Sequence, residues 1–267
     1  MSDFSLFHFS IFLFGLCIGS FLNVVIYRLE KEEGFVKGRS YCPKCRHQLT
    51  WLDLIPVFGF LLLRGKCRYC KGEISIQYPI IEIVTGLVFL LITNYQLPIT
   101  NVSGLINLIF LLYMASSLIV IFVYDLKFYL IPDIVLFPAI AIAFIFRLLQ
   151  GFFIGNWVLG IGNYALATVI AAGFFLLIWV VSRGRWMGFG DVKLAILLGL
   201  LLGFPVILVG LFLSFFFGAI IGVILILLHN KGLKSEIPFA PFLIAGTFMA
   251  MFWGPGVVNW YTRFLLF

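Results

Sequence analysis

Long apolar runs broken by short polar stretches dominate the chain. A membrane crossing needs about 20 apolar residues. Read at that scale, the pattern predicts helices near 4–27, 79–97, 103–124, 132–149, 160–182, 191–203, 205–228 and 239–260. Proline marks two of the breaks. Pro98, with Asn101, ends the second run, and Gly203-Phe204-Pro205 divides an apolar stretch about two spans long. The sixth run is short for a separate crossing. The first carries no positive charge ahead of it and no small-residue cleavage signal before Arg28, so it is expected to be a retained span rather than a signal peptide.

Composition agrees with this pattern. The 267 residues are 63% hydrophobic and 11% charged, with a mean hydropathy of +1.16. A soluble domain carries about 25% charged residues. The expected fold class is therefore an all-α polytopic membrane protein of about eight transmembrane helices. Charge then sets the orientation. With the N-terminus outside, sixteen of the 18 Lys and Arg fall on inside segments, and only Arg147 and Arg263 fall outside. The net charge of +7 thus reads as a topology signal with some attraction to anionic lipid, and nothing in it points to nucleic acid. Three segments follow: a first helix at 1–27, a polar cytoplasmic module at 28–78, and a membrane domain at 79–267.

The module is too small and too poor in apolar residues to fold without help. Four of the five cysteines lie in it, as Cys42-Pro-Lys-Cys45 and Cys67-Arg-Tyr-Cys70, separated by 21 residues. Two such knuckles match a four-thiolate zinc site. Cytosolic placement argues against stable disulfides. Four protein ligands leave no open position, so the zinc is expected to be structural, and its binding is expected to drive folding of the module. Cys17 stands alone in the first span and reads as a packing residue.

Two aspartates border apolar runs. Asp125 closes the third and Asp191 opens the sixth, within Met187-Gly-Phe-Gly-Asp191-Val-Lys193. Ionisable residues at such positions cost roughly 2.5–3.5 kcal/mol on insertion scales and generally serve function. The predicted topology puts both at the cytoplasmic face at equal depth, as a carboxylate dyad requires. Gly188 and Gly190 would let an extended peptide approach. Each aspartate also has a plainer reading: Asp191 as a helix N-cap, Asp125 as a surface pair with Lys127, and Asp133 as the N-cap of the fourth span.

Several further strings join these. They are Gly19-Ser-Phe-Leu-Asn23 running to Arg28, Leu49-Thr-Trp51-x-Asp53-Leu-Ile-Pro56, Leu63-Arg-Gly-Lys66, Tyr78-Pro79, Glu82-x-x-Thr85-Gly86, Ile131-Pro132-Asp133, and Pro238-Phe-x-Pro241-Phe242. Together the chain resembles the bacterial type IV prepilin peptidases, leader peptidases and N-methyltransferases of pilus, type II secretion and competence systems. Glu30 replaces the family's usual Pro, and Ala240 a frequent Gly. The Tyr-Asp and Gly-x-Gly-Asp pair is also similar to presenilin-type intramembrane proteases.

The resemblance implies an aspartic endopeptidase in the bacterial inner membrane. It would cleave a basic leader from prepilin or pseudopilin proteins at the cytoplasmic face, with Asp125 and Asp191 catalytic. It would then methylate the new N-terminus, commonly Phe, with S-adenosylmethionine as donor. Only the resemblance marks Glu82 and Gly86 as cofactor-binding candidates; Glu82 reads equally as a snorkelling interfacial residue. Two alternatives compete. A zinc metalloprotease would need His-Glu-x-x-His, but His8, His47 and His229 are scattered. A non-enzymatic zinc-knuckle scaffold or transporter leaves the aspartates unexplained.

Overall fold

The computed structural model describes residues 2–34, 38–99, 101–154, 161–228 and 237–265. Lys37, Lys231 and Lys234, which the charge pattern assigns to the inside, and His229 lie outside the described residues. The helices in chain order are α1 (Ser2–Glu30), α2 (Phe58–Leu62), α3 (Gln77–Gln96), α4 (Val102–Phe128), α5 (Asp133–Ile154), α6 (Gly162–Ser182), α7 (Phe189–Leu202), α8 (Val206–Leu227) and α9 (Ala240–Leu265). Among the described residues, seven are long and apolar enough to cross a membrane, α2 and α7 being the shorter ones. Their outward side chains are apolar: Val169, Leu177 and Phe212 are each about two-thirds exposed. A helix that is hydrophobic on all sides but only partly buried is built for lipid.

The chain forms two compact units, Met1–Val120 and Ile121–Phe267, the boundary falling inside α4. In the first, α1 and α3 form an antiparallel hairpin. His8 bonds Asn94 at one end and Asn23 donates to the Tyr78 carbonyl at the other. Between them the backbones touch: a Cβ on Gly15 would lie 2.6 Å from Gly86 Cα, and one on Gly19 2.6 Å from Glu82 Cα. Small residues four apart allow this approach, and in lipid close packing is what holds helices together.

The second unit contains two more such pairs. In α8–α9 a Cβ on Gly246 would meet the Gly210 carbonyl at 2.6 Å. In α6–α7 a Cβ on Gly199 would lie 2.5 Å from Thr168 Cα, with Ala167, Ala171 and Ala195 wholly buried alongside. Helix α7 has 14 residues, about 21 Å, against a hydrocarbon core of about 30 Å. It nevertheless runs the length of α6. The Phe189 ring meets Trp179 near the end of α6, and the Phe204 N–H donates to Asn163 O at its beginning. Helix α5 lies parallel to α7, with contacts from Ile131–Gly190 to Arg147–Leu201.

Candidate active site

Four helix ends meet at one end of the second unit. Asp125 lies in the last turn of α4. Its carbonyl accepts from Tyr129 N–H (2.9 Å), and Tyr129 turns left-handed (φ 57°) to end the helix. Pro132 then starts α5, its carbonyl accepting from Val135 and Leu136. Asp191 lies in the first turn of α7, after the extended Gly188. The Asp125 and Asp191 side chains are buried, with the residues 5% and 8% exposed. The Asp125 charge is felt at Asp191, so the two lie within electrostatic range of each other. The Ala240 N–H at the start of α9 points at the Asp125 carboxylate, whose Oδ2 has no hydrogen-bond partner among the described residues.

The plainer readings of these acids do not match the geometry. Gly188, not Asp191, occupies the N-cap position of α7. Among the described residues no ion pair joins Asp125 to Lys127. Asp133, expected to cap α5, instead bonds Lys193, sixty residues away, while that ammonium also lies 5.4 Å from the Phe137 ring. Lys193 is thereby withdrawn from simple interfacial duty and ties α5 to α7 two residues from Asp191. The two glycines separate in role. Gly190 is packed on Ile131, which a Cβ would meet at 3.2 Å, whereas beside Gly188 the nearest atom is 3.9 Å away and belongs to the same turn. The space beside Gly188 is therefore open, and Gly190 brings α7 against the α4–α5 turn.

The module of the first unit is built from two matching knuckles. In each, the first cysteine's N–H and C=O close a loop: Cys42 N–H to His47 O (2.9 Å) and Arg46 N–H to Cys42 O (2.8 Å), then Cys67 N–H to Gly72 O (2.8 Å) and Lys71 N–H to Cys67 O (3.0 Å). Arg46 and Lys71 both adopt φ 58°. The His47 and Tyr69 rings, one from each knuckle, stack at 3.6 Å. All four sulfurs lie within 4.8 Å of one another, and Cys42 and Cys70 are 3.9 Å apart. A tetrahedral site with Zn–S of 2.3 Å needs sulfurs about 3.8 Å apart, so the cluster fits zinc. Burial opposes ionisation of Cys42, but N–H donors from Cys45 and Lys44 outweigh it and bring the thiol down to about 7. The His47 N–H favours the Cys45 thiolate, yet burial and the adjoining Cys42 and Cys70 sulfurs push it up to about 11. Crowded thiolates resist further ionisation until a cation joins them.

Side chains join module to helices. Arg28, at the end of α1, is buried and donates to the Gly34 and Arg39 carbonyls. Glu82 of α3 accepts from Val57 N–H (2.7 Å) and from Ser20. Val57 carries φ 61°, a strained conformation for a β-branched residue. Glu82 is 6% exposed, and Gly86 is covered by the Phe12 ring, which a Cβ would meet at 2.8 Å. Both lie in the first unit, the aspartates in the second. Sequence reasoning did not foresee Ala240 as a donor to Asp125, although the late proline motif drew attention to that segment.

Apolar helices that bury two carboxylates at one end are the arrangement an intramembrane enzyme of the aspartic type requires. Comparison with known proteins carries this further. Residues 13–95 match the bacterial peptidase A24 N-terminal domain, and residues 112–223 match the type IV leader peptidase family. Proteins described as prepilin leader peptidase/N-methyltransferase are similar along nearly the whole chain. The one from Aeromonas hydrophila is 36% identical over 96% of this chain and 94% of its own. That from Aeromonas salmonicida is 34% identical over the same shares, and that from Bacillus subtilis 32% identical over 96% and 98%. No solved structure matches. The chain belongs to the type IV leader peptidase family and is a membrane aspartic peptidase.

Proposed function

We propose that the chain removes the leader from prepilins or pseudopilins at the cytoplasmic face of the bacterial inner membrane and then N-methylates the new N-terminus. The observation that carries the peptidase reading is the pair of buried carboxylates, Asp125 and Asp191, within reach of each other's charge and, among the described residues, without an ion-pair partner. Close carboxylates hold one proton between them. The ionised member takes a proton from water, which attacks the scissile carbonyl. The protonated member donates to the carbonyl oxygen, and a proton then passes to the leaving amine. The open side of Gly188 gives the extended substrate its path to both. A passive scaffold would gain nothing from leaving such a pair buried.

Methyl transfer rests on the names of the relatives, and S-adenosylmethionine is the donor that this chemistry implies. Glu82 and Gly86 stay candidates for its site by resemblance. The tight cover over Gly86 makes its part indirect, through the seating of α3 on α1. Residues 28–78 would form the zinc-binding, methyltransferase-associated domain; α3, expected at the start of the peptidase, packs on α1 in the first unit, so the peptidase would begin within α4 rather than at residue 79. The four cysteines would hold zinc in a closed structural site, which supplies rigidity rather than an activated water.

Mass spectrometry of the N-terminus of a co-expressed prepilin tests both halves, because cleavage and the added methyl appear in one spectrum. Asp125→Asn and Asp191→Asn are each expected to lower cleavage by roughly 10²–10⁴-fold or more, at native protein level and zinc content. Normal processing by either variant sinks the dyad.

A further inference from the structure

The short helix that carries Asp191 ends among apolar side chains, with Leu200 and Leu201 each 7% exposed. The last four carbonyls of any helix lack partners within it. In lipid, an unsatisfied carbonyl costs several kcal/mol. Here the Gly199 carbonyl accepts from Gly203 N–H at 3.0 Å, in a turn that glycine alone makes easily (φ +71°). The next two are taken by one side chain. Arg147 of α5 donates Nε–H to Leu200 O and Nη2–H to Leu201 O, both at 3.0 Å. Its Nη1 is fixed by Gln150 Oε1 at 2.8 Å, and its guanidinium lies 3.9 Å from the centre of the Tyr164 ring. Arg147 is only 6% exposed. Only a planar fork can bridge two successive carbonyls while stacked on an aromatic face.

We propose that Arg147 is a positioning residue of the peptidase. By gripping the far end of α7 it fixes how deep that helix sits along α5 and α6, and so the depth at which Asp191 meets Asp125. The inference rests on the dyad reading of these two aspartates. At the opposite end Lys193 and Asp133 make a second tie between α5 and α7. The helix is thus fastened to α5 at both ends, and a 14-residue rod cannot slide while both hold. The charge pattern marks Arg147 only as one of two outside cations; the structure turns that anomaly into a clamp.

The test uses the full chain in lipid nanodiscs with a prepilin substrate. A misplacement near 1 Å at a reacting group can cost about 10²-fold. Arg147→Met is therefore expected to lower kcat for leader cleavage about 10- to 100-fold, with KM and zinc content unchanged. Arg147→Lys, which keeps the charge and one donor but not the fork, is expected to recover part of that loss. A second arm reads depth without activity. In an Asp191→Cys background, labelling of the thiol at position 191 by a membrane-impermeant maleimide, mapped by peptide mass, is expected to change at least threefold when Arg147→Met is added. Should Arg147→Met fail to accumulate, Arg147→Lys carries both readouts. Native kcat together with a native labelling rate overturns the proposal, as does a loss confined to KM. The labelling arm decides it even if Asp191→Asn retained cleavage and the dyad reading itself fell.

Discussion

The zinc module of the first unit and the helices of the second reach rigidity by opposite routes. The module at 38–78 has little regular structure, and what it buries is sulfur: Cys42 and Cys67 are 6% and 4% exposed, with only short helical turns around them. Among its described residues the second unit has no such centre. Its helices are held by backbone meeting backbone at Gly199–Thr168 and Gly246–Gly210. A domain too small for an apolar core must borrow energy from a metal, whereas a helix pair in lipid gains nothing from burying apolar surface and relies on close contact. Module and helix pair are therefore fragile to different insults.

Removal of a zinc ligand should give the sharpest contrast. Zinc binding is worth about 10–16 kcal/mol in small zinc-finger peptides, more than the stability of most domains. Cys42→Ser or Cys67→Ser is expected to abolish zinc retention and expose residues 38–78 to protease, while α6 to α9 keep their hydrogen-exchange protection. Methylation should fall further than leader hydrolysis. Loss of protection throughout the second unit would show that the two routes are not independent.

The converse insult is bulk in a helix crossing. Gly199→Leu puts a side chain where even a Cβ would be 2.5 Å from Thr168 backbone, so α6 and α7 must part. Overpacking costs typically 1–3 kcal/mol and more against immovable backbone. Cleavage is expected to fall at least tenfold with zinc stoichiometry unchanged. Full cleavage by this variant would mean that the α6–α7 contact does not hold Asp191 in place.

The division also explains what the sequence discloses. Apolar run length is set by bilayer thickness, so the eight runs match α1 and α3–α9 to within a few residues, α7 included. Cysteine spacing encodes a knuckle directly, and the four sulfurs gather as the two C-x2-C pairs predict. Contacts without a residue signature stay hidden. A backbone donor such as Ala240 N–H can be any residue, so its approach to Asp125 is invisible beforehand. Arg147 reads as a stray outside charge because the carbonyls it grips come from a helix more than fifty residues later. Asp133 and Lys193 look like local capping and interfacial residues for the same reason.

Where module joins helix, the expected effects are smaller. Glu82→Gln keeps the size of the side chain but weakens the acceptor for Val57 N–H. Because Gln keeps an acceptor oxygen, the expected cost lies below the roughly 1.5–3 kcal/mol that a full hydrogen bond to a charged group contributes. Val57→Gly should offset part of it, because glycine takes positive φ freely and relieves strain of order 1–3 kcal/mol. Thermal unfolding of the two single variants and the double variant measures the offset. A double variant less stable than Glu82→Gln alone would contradict the strain assigned to Val57.

The smallest effect is expected at Asp53. Its carboxylate is 2% exposed and binds Thr50 through backbone and side chain, closing a capping box, while Arg68 reaches it at 2.8 Å from the second knuckle. Burial raises its pKa, but the Thr50 and Arg68 bonds outweigh burial and hold the carboxyl below its ordinary value. A carboxyl depressed in the folded state adds stability above its unfolded pKa, about 3.9, and loses it as pH falls through the folded value. Arg68 is half exposed, so the pair itself is screened and the cap contributes most, on the order of 1 kcal/mol together. Asp53→Asn should therefore lower module stability by a constant amount from pH 7 to about pH 5, and the deficit should shrink below about pH 4. Low pH also protonates the thiolates and unloads zinc, but from both proteins alike, so the difference between them at each pH is the quantity to follow. A deficit that grows towards low pH would reverse the sign of the linkage and remove Asp53 from the forces that hold the two knuckles together.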